Sequence, residues 1–165
     1  MQKSPPWHVK SPAYFEGGGY AVTWAFGHLV QLAMPDGYGV RGFVRDNLPI
    51  IPDTFTLVPR QVRTEKGYKP DSGVVSQIKI ITRLFNGSEQ IIVATDAGRE
   101  GELIFRYLYH YTGCKTPFVR LWISSLTDKA IREGLRNLED GGKYDNLYLA
   151  AKARSESDWL VGING

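Results

Sequence analysis

Apolar residues recur along the chain at two spacings that alternate with each other. Short apolar runs predict strands, and the run at 91–95 has the β-branched, non-alternating composition of a strand covered on both faces of a parallel sheet. These runs occupy 20–26, 91–95 and 118–123. Helical spacing of apolar residues marks 74–85, 99–111, 127–138 and 145–161. The alternation predicts an α/β fold, a parallel sheet with flanking helices.

The other segments show less evidence of helices or strands. Residues 34–59 are rich in proline and glycine, and we expect them to wrap the sheet with one short extended piece at 55–58. Three glycines at 17–19 precede a strand and lack the lysine of a nucleotide-binding loop, so they predict a hairpin or a flexible turn. The densest basic stretch is predicted to be a solvated loop and contains Arg60, Arg63, Lys66 and Lys69.

The composition excludes several classes of protein but does not indicate one function. The 165 residues are 42% hydrophobic, which suits a single globular domain with a sizeable core. A net charge of +3 is compatible with a nucleic-acid partner but does not require one. Cys114 is the only cysteine, which excludes an internal disulfide and a multi-cysteine zinc site. No membrane span or signal peptide is visible, so we expect a cytoplasmic protein.

The segment 91–102, with the sequence IIVATDAGREGE, is the strongest candidate for a functional site. Asp96 follows a predicted strand, and ligands collect at the carboxyl ends of parallel strands. Arg99, Glu100 and Glu102 then open a helix, after a turn in which Gly98 is expected to let the chain change direction sharply. Acids in a first helical turn often only complement the helix dipole, which is worth roughly 0.3–1 kcal/mol. Asp96 together with Glu100 also offers the oxygen ligands that suit magnesium.

Several ordered motifs resemble one known family. They are YFEGGGYAVTWAFGHLVQLAMP, LPIIPDTF, TDAGREGE with LIFRYLY, RLWISSLTDKAI and AAKARSESDWLVGIN. Together they are similar to the Toprim domain of type IA DNA topoisomerases, most closely the bacterial topoisomerase III group. The resemblance implies a Toprim, Rossmann-like sheet over 14–144, an atypical segment at 1–13, and the start of a following helical domain at 145–165.

The resemblance also implies an activity and the residues that perform it. The family breaks and rejoins single-stranded DNA with magnesium, by attack of a tyrosine on a phosphodiester. Asp96 and Glu100 match its metal-binding acids, and Glu100 and Arg99 are the catalytic candidates. His28, Arg154 and Asp158 match positions that contact DNA. From the residues alone, His28 and Trp24 would have structural roles, and Trp24 would lie in the core. Arg154 and Asp158 would then form an exposed ion pair worth about 0.3–0.5 kcal/mol.

Three departures from the family pattern affect the expected activity. Gly98 stands where many relatives have a second aspartate, for which Glu102 is a candidate replacement. The opening strand and its glutamate-lysine-proline-serine motif have no counterpart in 1–12, where only Trp7 to Val9 could form a short substitute. No tyrosine lies in a nucleophile motif. We therefore expect a Toprim module that is inactive alone; the alternatives are a non-catalytic nucleic-acid-binding module and a small Toprim nuclease.

Overall fold

A computed structural model describes residues 7–40, 44–65 and 67–165. The helices are α1 (Ser72–Asn86), α2 (Arg99–Tyr111), α3 (Asp128–Arg136) and α4 (Asp145–Asn164). The strands are β1 (His8–Ser11), β2 (Tyr14–Gly17), β3 (Tyr20–Thr23), β4 (Val30–Leu32), β5 (Leu57–Pro59), β6 (Gln61–Thr64), β7 (Gly67–Pro70), β8 (Ile91–Val93), β9 (Phe118–Arg120) and β10 (Glu139–Asp140). Short 3-10 turns cover Pro35–Tyr38, Arg45–Asn47 and Gly141–Tyr144.

The sheet beneath the acidic segment has the order β10-β9-β8. Strands β8 and β9 run parallel, with Ile91 opposite Phe118 and Val93 opposite Arg120, and α2 makes the crossover between them. Strand β10 adds an antiparallel edge. The predicted α/β class is confirmed. Within the described residues β8 is the other edge of this sheet.

The early part of the chain forms a separate antiparallel sheet, β1-β2-β3. The predicted hairpin is present, because Gly18 and Gly19 turn between β2 and β3 with positive φ angles of 57° and 83°. Strand β1 pairs with β2, so residues 7–11 do not substitute for an opening strand of the parallel sheet. Residues 1–6 lie outside the described part of the chain.

Two predictions about the early segments are wrong. The basic stretch is a hairpin, β6 paired antiparallel with β7, and Gly67 supplies the positive φ of 112° that its turn needs. Lys66 of that stretch lies outside the described residues. Trp24 is 38% exposed and packs on Phe15 at 5.4 Å between ring centroids, and Phe15 and the neighbouring Val22 are exposed as well, so Trp24 lies outside the core.

The hydrophobic core lies between α1, α2 and the β8–β9 pair. Helix α1 contributes residues at helical spacing, among them Val74, Ile78 and Ile81, each of which is worth roughly 1.5–3 kcal/mol when fully buried. The α1 side chain of Gln77 donates to the backbone carbonyl of Trp24 at 2.8 Å. The core thus fixes β8 and α2, which flank the acidic segment, and α1 is tied to the early sheet.

Helix α4 is anchored at its far end to the long proline-rich segment. The indole nitrogen of Trp159 donates to the Ala33 carbonyl at 2.9 Å. Asn164 accepts from the Ile50 amide at 2.6 Å and donates to the Ile50 carbonyl at 3.0 Å. In the part of the chain that the structure describes, no helix is long and apolar enough to cross a membrane.

Candidate metal and nucleic-acid site

The acidic turn, defined here as residues 94–101, connects β8 to α2. Strand β8 ends at Val93, two residues earlier than predicted, whereas α2 covers the predicted residues. Asp96 and Glu100 are both exposed, one within the turn and the other in the first turn of α2. The two carboxylates therefore face solvent at the carboxyl end of a parallel strand, where ligands of such sheets collect.

Gly101 lets the start of α2 pack directly on the backbone of Asp96. A Cβ on Gly101 would lie 2.8 Å from the Asp96 amide nitrogen and closer still to its carbonyl oxygen. The hydroxyl of Thr95 donates to the Gly101 carbonyl at 2.7 Å, which closes the turn. Asp96 and Glu100 are thus held at opposite ends of one tightly closed turn.

Gly98 does not have the role that its position in the sequence suggests. Its φ of 173° and ψ of 176° are extended values that any residue adopts. A Cβ built on Gly98 would meet nothing within 4 Å. The expectation that glycine is needed for a sharp turn here is therefore wrong, and the position has room for a larger side chain.

The structure brings His28 to the acidic turn. Its Nε2 lies 3.1 Å from Oε2 of Glu100, although the two residues are 72 positions apart in the sequence. His28 follows Gly27, whose φ of 80° redirects the chain after β3. A residue predicted to contact DNA and a residue predicted to bind metal are thus neighbours.

Arg154 and Asp158 form the exposed intrahelical ion pair that their spacing predicts. Nε of Arg154 lies 3.5 Å from Oδ2 of Asp158, and both side chains are mostly solvent-exposed. Among the described residues, no hydrogen bond or ion pair joins this pair to Asp96 or Glu100. Helix α4 packs against α2, the helix that carries Glu100, and the rings of Tyr107 and Tyr148 meet edge to face at 6.5 Å between centroids. Burial raises the pKa of the Tyr107 hydroxyl.

A buried ion network of Glu102, Arg106 and Arg120 lies beneath the acidic turn, and no motif or spacing in the sequence predicts it. Glu102 is fully buried and accepts from Nε of Arg106 at 2.9 Å and from Nε of Arg120 at 3.0 Å. Glu102 therefore cannot replace the missing aspartate as a metal ligand. One signal was visible: Arg120 interrupts an apolar strand, and a buried charge in such a strand requires a partner.

The Toprim domain family model matches residues 9–126, and the chain belongs to that family. The chain is 48% identical over 159 residues to DNA topoisomerase 3 of Bacillus subtilis (strain 168), covering 95% of this chain and 21% of that protein. It is 46% identical over 157 residues to DNA topoisomerase 3 of Staphylococcus aureus (strain USA300), covering 94% and 21%. The chain thus spans about a fifth of the length of these relatives.

The chemistry of the donors fits a divalent cation of the kind that Toprim domains of topoisomerases bind. Asp96 and Glu100 offer oxygen atoms only, and no group of three or more His, Cys, Asp or Glu residues in the described structure could form a complete protein cage.

We predict that Gly101→Ala destabilises the protein. The added methyl would overlap backbone atoms of Asp96, which cannot move aside as a flexible side chain does, so a loss of about 1–3 kcal/mol is expected. Gly162→Ala in α4 is the matched control, because a Cβ there meets nothing within 4 Å and alanine favours a helix by roughly 0.5–1 kcal/mol. Urea unfolding measures both, and equal stability of the two variants would contradict the close packing.

Proposed function

We propose that this chain is a topoisomerase III-like Toprim module, in which Asp96 and Glu100 hold Mg²⁺ and His28, Arg154 and Asp158 contact single-stranded DNA. In a longer polypeptide of the type IA topoisomerase kind, the module would supply the metal-dependent part of strand breakage and rejoining. Glu100 and Arg99 are its catalytic residues in this proposal. The observation that carries it is the 3.1 Å contact between His28 and Glu100, which joins the proposed DNA and metal residues in one site.

The surroundings of the acidic turn suit a phosphate group. No side chain caps the amino terminus of α2, and helix amino termini attract anions through their free amides and dipole. Arg99 is exposed in the first turn and forms no ion pair within the described residues, so its guanidinium is available to a phosphate as a bidentate donor. A bound Mg²⁺ would neutralise charge on the phosphate and position it.

The isolated chain is proposed not to relax supercoiled DNA. Its breakage chemistry needs a tyrosine nucleophile, and none of the nine tyrosines of the sequence lies in a segment that resembles the nucleophile motif of the family. Relaxation of a supercoiled plasmid by this chain in Mg²⁺ would overturn this part of the proposal.

A second candidate is nucleic-acid binding without metal. It is favoured by the small number of carboxylates that could bind a metal. Glu102 forms ion pairs with two arginines, so only Asp96 and Glu100 remain at the acidic turn. The two candidates differ in one measurable property, the dependence of DNA binding on Mg²⁺.

We predict that the chain binds Mn²⁺ and Mg²⁺ saturably, and that Asp96→Asn/Glu100→Gln abolishes this binding. The double variant removes both charged ligands while keeping side-chain shape. Glu89→Gln, an exposed acid before β8, is the control and should bind as the wild type does. Calorimetric titration of the full chain measures the affinities. A folded wild-type chain that binds neither ion would favour the metal-free candidate.

We predict that Gly98→Asp strengthens Mn²⁺ binding. The backbone there is extended and the space is open, so a third carboxylate can be added without strain. A tenfold gain in affinity, about 1.4 kcal/mol, is expected. Gly98→Asn is the control, because it adds the same volume without the charge. Equal affinities for the two variants would show that position 98 does not face the metal.

We predict that Arg154→Ala weakens binding of a labelled single-stranded oligonucleotide and lowers its salt dependence. Loss of one phosphate contact should reduce the slope of log K against log salt by about 0.7. Arg132→Ala, an exposed arginine of α3, is the control. Fluorescence anisotropy at several salt concentrations, with and without Mg²⁺, makes the measurement. An unchanged slope for Arg154→Ala would show that Arg154 of α4 does not contact the phosphates of the DNA.

A further inference from the structure

Arg120 is fully buried and directs its guanidinium at the end of β8. Nη1 donates to the backbone carbonyls of Val93 at 2.9 Å and Thr95 at 2.7 Å. Nη2 donates to the backbone carbonyl of Asp96 at 2.7 Å. Three carbonyls of the segment that enters the acidic turn are therefore bound by one side chain, which lies on the neighbouring strand. Among side chains, only the planar guanidinium of arginine has enough N–H donors in a fixed arrangement to bind these carbonyls at once.

The charge of Arg120 is balanced by Glu102, which also connects it to a second arginine. Arg106 binds the other oxygen of Glu102 and donates from Nη2 to the Gly141 carbonyl at 2.9 Å and to Oδ1 of Asp145 at 2.7 Å. Asp145 is the first residue of α4. The connected groups thus run from the acidic turn through the core to the start of α4.

Aromatic rings complete the enclosure of both arginines. The Arg106 guanidinium lies 4.6 Å from the ring centroid of Phe118, and that of Arg120 lies 5.1 Å from the ring centroid of Trp122. Such contacts favour a cation over the ring face. Glu102 and Arg120 are thus buried together and each has several hydrogen-bond partners, which is the condition under which buried charges give a rigid, unique geometry.

We infer that Arg120 is a positioning residue for the metal and phosphate site: it holds the Val93–Asp96 backbone so that Asp96 faces Glu100 across the turn. The inference rests on the proposed function of Asp96 and Glu100. Arg120 does not contact the metal or DNA in this account. It acts through the main chain of a ligand, because the carbonyls of Val93, Thr95 and Asp96 that it binds belong to the segment that carries Asp96.

The test uses a charge-balanced variant, Arg120→Met/Glu102→Gln. Replacing Arg120 alone would leave the buried Glu102 carboxylate with one partner fewer, a change that is strongly destabilising and can unfold a domain. In the double variant the amide at position 102 still accepts from Arg106, while the three carbonyl bonds are lost. Glu133→Gln/Arg136→Met makes the same two chemical changes on the exposed surface of α3 and is the control.

Two measurements on the folded 165-residue chain are needed, after circular dichroism has confirmed the fold. Amide hydrogen exchange in 94–102 should accelerate about tenfold or more in Arg120→Met/Glu102→Gln, while exchange in 74–85 of α1 stays near the wild-type rate. Mn²⁺ affinity should fall by about tenfold or more. Arg120→Lys, which keeps the charge without the fork, should also exchange faster than the wild type in 94–102.

The outcomes separate this inference from the proposed function. The positioning role would be overturned if a folded Arg120→Met/Glu102→Gln chain exchanged its 94–102 amides at the wild-type rate. It would also be overturned if exchange accelerated equally throughout α1, or if the Mn²⁺ affinity did not change. A wild-type chain that binds no Mn²⁺ would instead overturn the metal site, and the exchange pattern would still decide whether Arg120 holds the turn. If the double variant does not fold, Arg120→Lys supplies the same comparison.

Discussion

The carboxylate of Glu102 is shared by two arginines inside the protein, and both the acidic turn and the start of α4 depend on it. Glu102 and Arg120 have no exposed surface, so each needs the other to offset its desolvation. Arg120 then binds the backbone carbonyls of Thr95 and Asp96 in the acidic turn, and Arg106 binds Asp145. Removing Glu102 would leave the charges of two buried arginines without the partner that they share.

This arrangement divides the acids of one motif into two roles. Asp96 and Glu100 are exposed and accessible to ions and phosphate, whereas Glu102, two residues further on, is directed into the core. The helical period explains the division, since residues 100 and 102 lie on different faces of α2. The buried acid Glu102 is connected through Arg120 to the backbone of the exposed acid Asp96, which is the basis of the positioning role that we propose.

The sequence predicted what depends on local spacing and missed what depends on distant partners. The bounds of α2 follow from its apolar period, and the parallel β8–β9 pair from two apolar runs around a helix. The β6–β7 hairpin was missed because its four-residue strands carry charges and resemble a polar loop. The His28 contact with Glu100 spans 72 residues, so no spacing rule could give it. A charged residue in an apolar strand indicates that Arg120 needs a buried partner, but the sequence does not indicate that this partner is Glu102.

The most direct test of this account is a crystal structure of the chain grown with Mn²⁺, with the ion located by its anomalous scattering. We expect a peak bound by the carboxylates of Asp96 and Glu100, with the Arg120 guanidinium hydrogen-bonded to the Asp96 carbonyl and with Glu102 remote from the ion. Well-ordered density for the acidic turn without a peak at saturating Mn²⁺, or a peak bound by other residues, would contradict it.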